Sequence, residues 1–263
     1  MRLAAFHLRA VGVLVQRDLL RFFRQRSRVV GALLQPLLFW LVIGSGLSGS
    51  FRMPGASSVD YVQYFYPGVV LLVVLFTSIF TTMSVIEDRQ HGFLQAVLVA
   101  PSSRLSLVLG KTLGGVTIAL VQAAALLLLA PLAGFPWRAI HWPLVLAVLL
   151  LSGVALSALG FALAWSLNST QGYHVVMSLL LIPLWVISGA MFPAQGAPPW
   201  LARLMQANPL SHAVASLRRA LYGPAYQEVL GPGSTAAFEL GVLLVFALVT
   251  LSLAVGVCSR RPR

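Results

Sequence analysis

The chain has 263 residues, of which 59% are hydrophobic and only 9% are charged. Soluble domains carry about 25% charged residues, so this composition excludes a soluble globular protein and indicates an integral membrane protein. The net charge of +12 does not indicate nucleic-acid binding, because the basic residues cluster at the ends of apolar runs, where they would meet anionic lipid headgroups.

The N-terminal segment, residues 1–28, holds seven arginines and predicts an amphipathic helix lying in the membrane interface. One face of this helix carries arginines at spacings of four, three and four residues: Arg17, Arg21, Arg24 and Arg28. We expect them to face lipid phosphates. A signal peptide is the competing interpretation, but the charged part is too long for one and several spans follow, which favours an uncleaved first span.

Six apolar segments predict six membrane spans, each near the roughly 20 residues that a bilayer requires. They cover about 29–47, 65–86, 105–133, 143–167, 173–191 and 237–257. Residues 29–263 therefore form a single membrane domain. Thirteen of the 18 basic residues lie in segments on the same side as the N-terminus, so the positive-inside rule predicts that both termini are cytoplasmic.

The longest charged interlude between two spans is the loop 87–104. Near its end Pro101 should stop one helix, and Ser102 or Ser103 should cap the next. A short helix inside the loop has one apolar face, formed by Phe93, Leu94, Val97 and Leu98. We expect this face to dock on a partner, and a helix lying on the lipid surface is the alternative.

Charged and small residues around this loop suggest further contacts. Glu87 and Asp88 either pair with Arg89, Arg104 or the arginines of the N-terminal helix, or form a solvated helix end. Lys111 should extend to the cytoplasmic headgroups. Gly110 and Gly114 have the small-xxx-small spacing that lets membrane helices approach closely.

The outer segment 192–222 is too apolar for a free loop and too broken for another span. Asn208-Pro209 divides it into two short helices, with Ser211 as the predicted cap of the second. We expect a hairpin buried against protein, which would satisfy its main-chain polar groups away from lipid. Glu239, at the outer start of the sixth span, should be solvated or paired with an arginine.

This layout resembles the permease subunit of type-2 ATP-binding-cassette exporters, and within that family it is most similar to the permeases of drug and lipo-oligosaccharide exporters. The resemblance covers essentially the whole chain, and the loop 87–104 is its one specific motif. The residues that carry it are Glu87-Asp88-Arg89, Gly92-Phe93-Leu94, Ala100-Pro101-Ser102-Ser103-Arg104, Gly110-Lys111 and Asn208-Pro209-Leu210.

The resemblance implies an all-α integral membrane protein with six transmembrane helices. It also implies the N-terminal interfacial helix, a cytoplasmic coupling helix between spans 2 and 3, and the broken outer hairpin before span 6. ATP and Mg would be bound by a separate ABC ATPase subunit, and a second permease copy or paralogue would complete the transporter in the cell membrane. The residues that would couple to the ATPase are Glu87, Asp88, Arg89, Gly92, Phe93, Leu94, Val97, Leu98 and Arg104.

The implied function is export of an amphiphilic substrate: a drug, a lipid or a lipid-linked glycan. Candidates for the wall of the translocation path are Thr77, Thr81, Thr82, Ser84, Ser178 and Trp185. Ser and Thr are also enriched wherever two membrane helices touch, which is the alternative interpretation.

Catalytic chemistry has little support in the sequence. The six acidic residues leave no pair at membrane depth for acid–base or metal chemistry, and the five histidines lack metal-ligand spacing. We therefore predict a transport subunit with no catalytic residue, metal or cofactor of its own. The alternatives are a polytopic membrane enzyme that acts on lipids, and a non-transporting immunity or assembly protein.

Overall fold

Residues 2–49, 60–99, 103–195, 197–223, 226 and 234–260 are described by a computed structural model, with side chains described from residue 9 onward except at 98. Within these ranges the regular structure is entirely helical, which confirms the predicted all-α class. Pro101 and Ser102, the predicted helix stop and one of the two predicted caps, lie outside the described residues. The other predicted cap, Ser103, accepts a hydrogen bond from the Ser106 N–H and begins the next helix.

Eleven α-helices follow one another in the described part of the chain. They are α1 (Arg2–Arg24), α2 (Arg26–Ser48), α3 (Tyr61–Thr82), α4 (Ser84–Gln90), α5 (Phe93–Val99), α6 (Arg104–Leu127), α7 (Trp142–Ser166), α8 (Thr170–Trp185), α9 (Pro199–Ala207), α10 (Pro209–Tyr222) and α11 (Ala236–Ser259). Two 3-10 turns, Ala130–Ala133 and Trp137–Ala139, connect α6 to α7, and a π turn, Val186–Ala190, continues α8.

Six helical segments of the described chain are long and apolar enough to cross a membrane, as predicted. Four are the single helices α2, α6, α7 and α11, and the others are Tyr61–Gln90 (α3 with α4) and Thr170–Ala190 (α8 with its π turn). The third span ends at Leu127, earlier than predicted. Pro131 cannot continue an α-helix, and the chain then turns through Gly134, whose φ is +88°.

The N-terminal helix α1 is shorter than predicted and lies against α6. It ends at Arg24, because Gln25 leaves the helical conformation with φ −91° and ψ 80°. Arg28 therefore belongs to the first turn of α2 and not to the interfacial helix. The buried face of α1 carries Leu14, Asp18 and Phe22, which are spaced by four residues. A carboxylate thus lies on the face of α1 that packs against the bundle.

Helix α3 lies at the centre of the bundle. Every residue from 64 to 79 is buried, and the helix packs against α2, α6, α7 and α8. A helix that is apolar on all sides requires such a central position. In contrast, α2 and α11 expose rows of Leu and Val side chains, which suit contact with lipid.

At one end of the bundle the fifth span breaks, and other helices satisfy the main-chain oxygens that the break frees. Gly189 has φ +79° inside the π turn. Its carbonyl accepts hydrogen bonds from the Tyr64 hydroxyl at 3.0 Å and from Arg218 at 2.7 Å. The Tyr61 hydroxyl donates to the Met191 carbonyl at 2.9 Å. Irregular backbone at membrane depth is tolerated because protein groups replace the missing intrahelical bonds.

The predicted hairpin is present as α9 and α10, which are separated at Asn208. The side-chain oxygen of Asn208 accepts from the Leu210 N–H at 2.9 Å, and its nitrogen donates to the Leu184 carbonyl at 2.6 Å. Asn208 is therefore the cap of α10. The prediction of Ser211 as the cap is wrong, because the Ser211 hydroxyl has no hydrogen-bond partner among the described residues.

The other end of the bundle holds both ends of the described chain. Asp18 of α1 binds Lys111 near the start of the third span. Arg104, which opens the same span, binds the main-chain oxygens at the end of α11. An even number of crossings returns the chain to the side on which it began, so these contacts fit six spans. We refer to this end as the α1 end and to the other as the hairpin end.

Gly68 provides a test of the packing at the centre of the bundle. A Cβ atom there would lie 2.5 Å from the Ala190 Cβ and 2.9 Å from its Cα, which no side-chain rotation relieves. We expect Gly68→Ala to destabilise the protein by about 1–3 kcal/mol through overpacking. Thermal unfolding of the purified protein in detergent measures this loss. Gly241→Ala, also in a span but with no atom within 4 Å of the added Cβ, is the control, and an equal melting temperature for both variants would contradict the packing.

Candidate functional site

The acidic pair that opens the loop 87–104 lies where the second span meets α1. Met83 separates α3 from α4, and α4 carries Glu87 and Asp88. The Asp88 side chain is 2% exposed. Both terminal guanidinium nitrogens of Arg17 donate to it, at 2.9 Å and 2.5 Å, and Arg21 donates at 2.8 Å. Asp88 thus fixes α1 to the end of the second span.

Lys111 on α6 is the third cation that binds Asp88. Its ammonium lies 2.6 Å from Asp88 and 2.9 Å from Asp18, and it donates to the Ser84 hydroxyl at 3.2 Å. The Lys111 side chain is only 2% exposed. The prediction that Lys111 extends to lipid headgroups is therefore wrong, because close packing of α1 on α6 brings Asp18 to the ammonium inside the protein.

Glycines on α6 make that close packing possible. A Cβ atom at Gly110 would lie 2.8 Å from the Leu14 Cβ, and one at Gly114 would lie 3.4 Å from the Asp18 Cβ. The two glycines with small-xxx-small spacing thus face α1. Larger side chains at these positions would push α1 away from α6 and separate Asp18 from Lys111.

Glu87 connects the same junction to the first span. Arg21 donates to one of its carboxylate oxygens at 2.8 Å, and Arg28 donates to the other. Of the predicted alternatives, pairing with N-terminal arginines is the one that the structure shows. We call these residues the ion cluster: Arg17, Asp18, Arg21, Arg28, Glu87, Asp88 and Lys111. Every carboxylate in it has a cation partner, which offsets the cost of removing it from water.

The ion cluster perturbs the protonation of the α1 side chains. The hydrogen bond to Asp88 raises the pKa of Arg17, so its positive charge is retained. Burial raises the pKa of Asp18 above its ordinary value, although Lys111 and Arg17 both oppose the increase. Asp18 therefore depends on its cation partners to remain charged.

The side chain of Arg89, also on α4, binds the end of the fourth span. It donates to the main-chain oxygens of Trp165 at 2.7 Å, Ala164 at 3.1 Å and Leu167 at 3.3 Å, and to the Asn168 side chain at 2.9 Å. The last carbonyls of a helix have no intrahelical partner, and a cation there complements the helix dipole. Arg89 thus holds the loop to the C-terminus of α7.

Arg104 does the same for the sixth span. It donates to the main-chain oxygens of Cys258 and Ser259, both at 2.7 Å, and of Arg260 at 3.4 Å. Pairing of the acidic residues with Arg89 or Arg104, the other predicted option, is not found among the described residues. The two arginines of the loop bind helix ends.

Part of the predicted apolar face of α5 packs against the core of this chain. Gly92, with φ +75°, turns the chain between α4 and α5. Leu94 is only 3% exposed within the core, and Val97 packs against that core. The guanidinium of Arg17 lies 3.6 Å from the centre of the Phe93 ring. These side chains attach α5 to its own bundle, because the ion cluster holds α1 against α5.

The outward face of α5 carries Gln95, Ala96 and Val99. Val99 is 88% exposed, the highest value among the exposed large apolar side chains of the described chain. The side chain of Leu98, the fourth member of the predicted face, lies outside the described residues. The role of the loop in binding an ATPase stays a prediction.

Four of the predicted path residues are enclosed within this single chain: Thr77, Thr81, Ser84 and Trp185. The Thr77 hydroxyl binds Gln122 at 2.7 Å, and the Trp185 indole donates to the Gly68 carbonyl at 2.8 Å. Thr82 is also buried, with its hydroxyl 2.5 Å from that of Tyr173. Ser178 differs, because it lies partly exposed on the open outer face of α8. The assignment of these residues to a translocation path stays a prediction.

Two charged residues of the hairpin end connect α10 to other spans. Arg218 is 8% exposed, and its guanidinium lies 3.9 Å from the centre of the Tyr64 ring. Glu239 is fully buried, accepts from Ser216 at 2.8 Å and lies 3.5 Å from Arg219. Glu239 is therefore paired with an arginine, which is one of its two predicted states, and it is not solvated.

Sequence reasoning missed Asp18 and Arg218 as contributors. Asp18 is the one acidic residue among the seven arginines of residues 1–28, and its i±4 spacing from Leu14 and Phe22 places it on the apolar face. That position signals a buried ion pair. Arg218 follows the apolar spacing of α10, which could have signalled a buried guanidinium in the same way.

Most of the chain is similar in sequence to known proteins. A sequence model of the family described as "ABC-2 type transporter" matches residues 9–222. The chain is 27% identical over 219 residues to the putative transport permease ycf38 of Cyanophora paradoxa, covering 81% of this chain and 74% of that protein. It is 25% identical over 240 residues to the daunorubicin resistance ABC transporter permease protein DrrB1 of Streptomyces coeruleorubidus, covering 90% and 83%. It is also 25% identical over 238 residues to nodulation protein J of Neorhizobium galegae, covering 89% and 87%.

Lys111→Met tests the ion cluster. Asp88 would keep Arg17 and Arg21, but Asp18 would lose its closest cation, and breaking a buried pair costs about 3–5 kcal/mol. The pKa of Asp18, already raised by burial, would rise further in the folded state. A carboxyl group whose folded-state pKa is raised makes the fold less stable as pH increases from its unfolded-state pKa to its folded-state pKa. The deficit in melting temperature relative to wild type should therefore be larger at about pH 8 than at about pH 5.

The double variant Asp18→Asn/Lys111→Met is the control for that measurement. It removes the buried carboxyl group along with its partner, so the pH dependence of the deficit should disappear and part of the stability should return. A deficit in Lys111→Met that is the same at both pH values would show that Asp18 does not depend on Lys111.

Proposed function

The chain belongs to the ABC-2 type transporter family, and from this premise we propose that it is the permease subunit of an ATP-driven exporter. Two of the relatives described above are named as a putative transport permease and as an ABC transporter permease. In our proposal ATP and Mg bind a separate ATPase subunit, and this chain contributes the membrane path and the contact through which ATPase movement is received.

The observation that carries this proposal is the number of spans attached to one short segment. Asp88 binds α1 and α6, and Glu87 binds α1 and the start of α2. Arg89 binds the end of α7, and Arg104, at the other end of the loop, binds the end of α11. A force applied to this loop therefore acts on the first, third, fourth and sixth spans as well as on the second. Such a segment suits coupling to a partner that moves.

We assign the partner contact to the outward face of α5. Its inward face is held by Leu94 in the core, so α5 cannot move independently of the bundle. Gln95, Ala96 and Val99 are exposed and available to a groove on the ATPase. Covering Val99 with an apolar surface of the ATPase would remove its side chain from water, which is favourable.

The orientation in the membrane follows from charge. The α1 end carries most of the basic residues, including those of α1, the start of α2 and Arg104. The positive-inside rule places this end in the cytoplasm, where ATP is available, and places both termini there too. The hairpin end then faces the outside of the cell membrane.

We propose that the cargo is amphiphilic and crosses between two permeases, either two copies or one copy and a paralogue. The outer face of α8 combines exposed large apolar side chains with Ser178 and His174, which are partly buried. An apolar wall with a few polar groups suits a drug, a lipid or a lipid-linked glycan. The relative named for daunorubicin resistance supports a drug among these classes.

Purification of the tagged protein from its own host in mild detergent tests the proposal. A stoichiometric nucleotide-binding subunit with vanadate-sensitive ATPase activity should co-purify. The protein alone, monodisperse under conditions that preserve other such complexes, would contradict the proposal and favour an enzyme or an immunity protein.

Val99→Asp tests the surface that we assign to the ATPase. We expect it to reduce ATPase co-purification at least tenfold, the equivalent of about 1.4 kcal/mol, because a carboxylate would be buried in an apolar contact. The melting temperature of the permease itself should not change. Leu132→Asp is the matched control, since Leu132 is 77% exposed in the 3-10 turn between α6 and α7. Equal co-purification of the two variants would show that Val99 lies outside the contact.

A further inference from the structure

The fifth span is the one span to which no hydrogen bond of the loop 87–104 extends within the described part of the chain. In its direction Arg89 donates to the Asn168 side chain at 2.9 Å, and Gln90 donates to the Asn168 carbonyl at 3.2 Å. These bonds end at Asn168, just before α8 begins at Thr170. Movement delivered through the loop alone therefore has no direct route into α8, which we assign to the cargo path.

The turn between α7 and α8, residues 167–169, is the end of the fifth span that lies beside the loop. Asn168 is held to α4 by the two hydrogen bonds given above. Ser169 is the cap of α8, because its hydroxyl accepts from the Gly172 N–H at 3.3 Å. The turn is thus fixed both to the loop and to α8. A protein that binds this turn would act on the fifth span directly.

The composition of the turn indicates what covers it. It belongs to the α1 end, which the proposed orientation places in the cytoplasm. Cytoplasmic loops carry an excess of Lys and Arg, which anionic lipid headgroups attract. Residues 139–202 contain no Asp, Glu, Lys or Arg, so the turn has no cation for lipid phosphates. Its exposed side chains are neutral amides and hydroxyls, which suit the polar rim of a protein interface: Asn168, Ser169 and, beside them, Gln171.

The turn also adjoins the surface that we assign to the ATPase. Gln90, which binds Asn168, and His91 are exposed at the end of α4. Only Gly92 separates them from α5, whose outward face includes Gln95 and Val99. Exposed side chains therefore extend from the outward face of α5, through the end of α4, to the turn. No Asp, Glu, Lys or Arg is among them.

We propose that the turn 167–169, with Gln171 beside it, is a second contact for the ATPase and the contact that moves the fifth span. The inference rests on the ATPase partner proposed above and extends the contact beyond the loop 87–104. The matching surface of the ATPase offers uncharged hydrogen-bonding groups, because the turn presents no charge that requires a counter-ion. Movement of the ATPase then reaches the fifth span through the turn and the other spans through the loop.

Protection of single cysteines from a maleimide tests this contact. The chain has one cysteine, Cys258, which is buried, so the wild-type protein should react slowly. Gln171 is exposed, so the thiol of Gln171→Cys is accessible in the permease alone. The permease and its co-purified complex with the ATPase are compared in the same lipid nanodiscs. We expect Gln171→Cys to react about tenfold more slowly in the complex, because interface contacts exclude solvent.

Gln206→Cys is the matched control, because Gln206 is an exposed glutamine of α9 at the hairpin end. It should react at the same rate in both samples. Val99→Cys reports on the contact that we assign to α5. Protection of Val99→Cys without protection of Gln171→Cys would show that the ATPase binds the loop alone, which overturns this inference and leaves the proposed function standing.

Two further outcomes would also overturn the inference. Equally slow reaction of Gln171→Cys in the permease alone and in the complex would assign the turn to lipid headgroups. Absence of any co-purifying ATPase would overturn both this inference and the proposed function.

Discussion

Burial of the Asp88 carboxylate is the constraint on which the α1 end of the protein depends. A carboxylate that is only 2% exposed is tolerated only with cations and hydrogen bonds around it, and here these come from α1 and α6. The requirement fixes the position of α1 along α6 and the position of both against α4. The glycines Gly110 and Gly114 follow from it, since a bulkier α6 could not approach Asp18. The close packing of α1 on α6 and the pairing of the buried charges therefore depend on each other.

At the hairpin end, polar groups of a different kind are satisfied by side chains from other helices. There the unsatisfied groups are main-chain carbonyls, freed where the fifth span breaks at Gly189. Tyr64 and Arg218 donate to the carbonyl of Gly189 from α3 and α10. At both ends, polar groups removed from water are satisfied by side chains from distant parts of the sequence. The centre between them, formed around α3, is mostly apolar, and its few buried hydroxyl groups bind polar side chains of neighbouring helices, as Thr77 binds Gln122.

The sequence was sufficient for features that depend on local pattern. Hydropathy predicted six spans, and the Asn208-Pro209 break predicted the hairpin. The sequence was insufficient where either this chain or a partner could cover the same side chain. Periodicity identified the apolar face of α5 but could not show that this chain, and not a partner, covers Leu94. Likewise the position of Lys111 near the end of a span predicted contact with lipid headgroups, because no local pattern indicates that Asp18 of α1 packs against it.

The hydrogen bonds of Arg104 are made to main-chain oxygens at the end of α11. Because every peptide unit offers the same carbonyl, these bonds do not depend on the side chains at residues 258 and 259. Related proteins are therefore free to replace those two residues while the guanidinium group must be retained. Pairwise covariation between Arg104 and its acceptors should be absent, and contact inference from sequence alignments would overlook the attachment that holds the loop to the sixth span. Arg89 differs, because it also binds the Asn168 side chain.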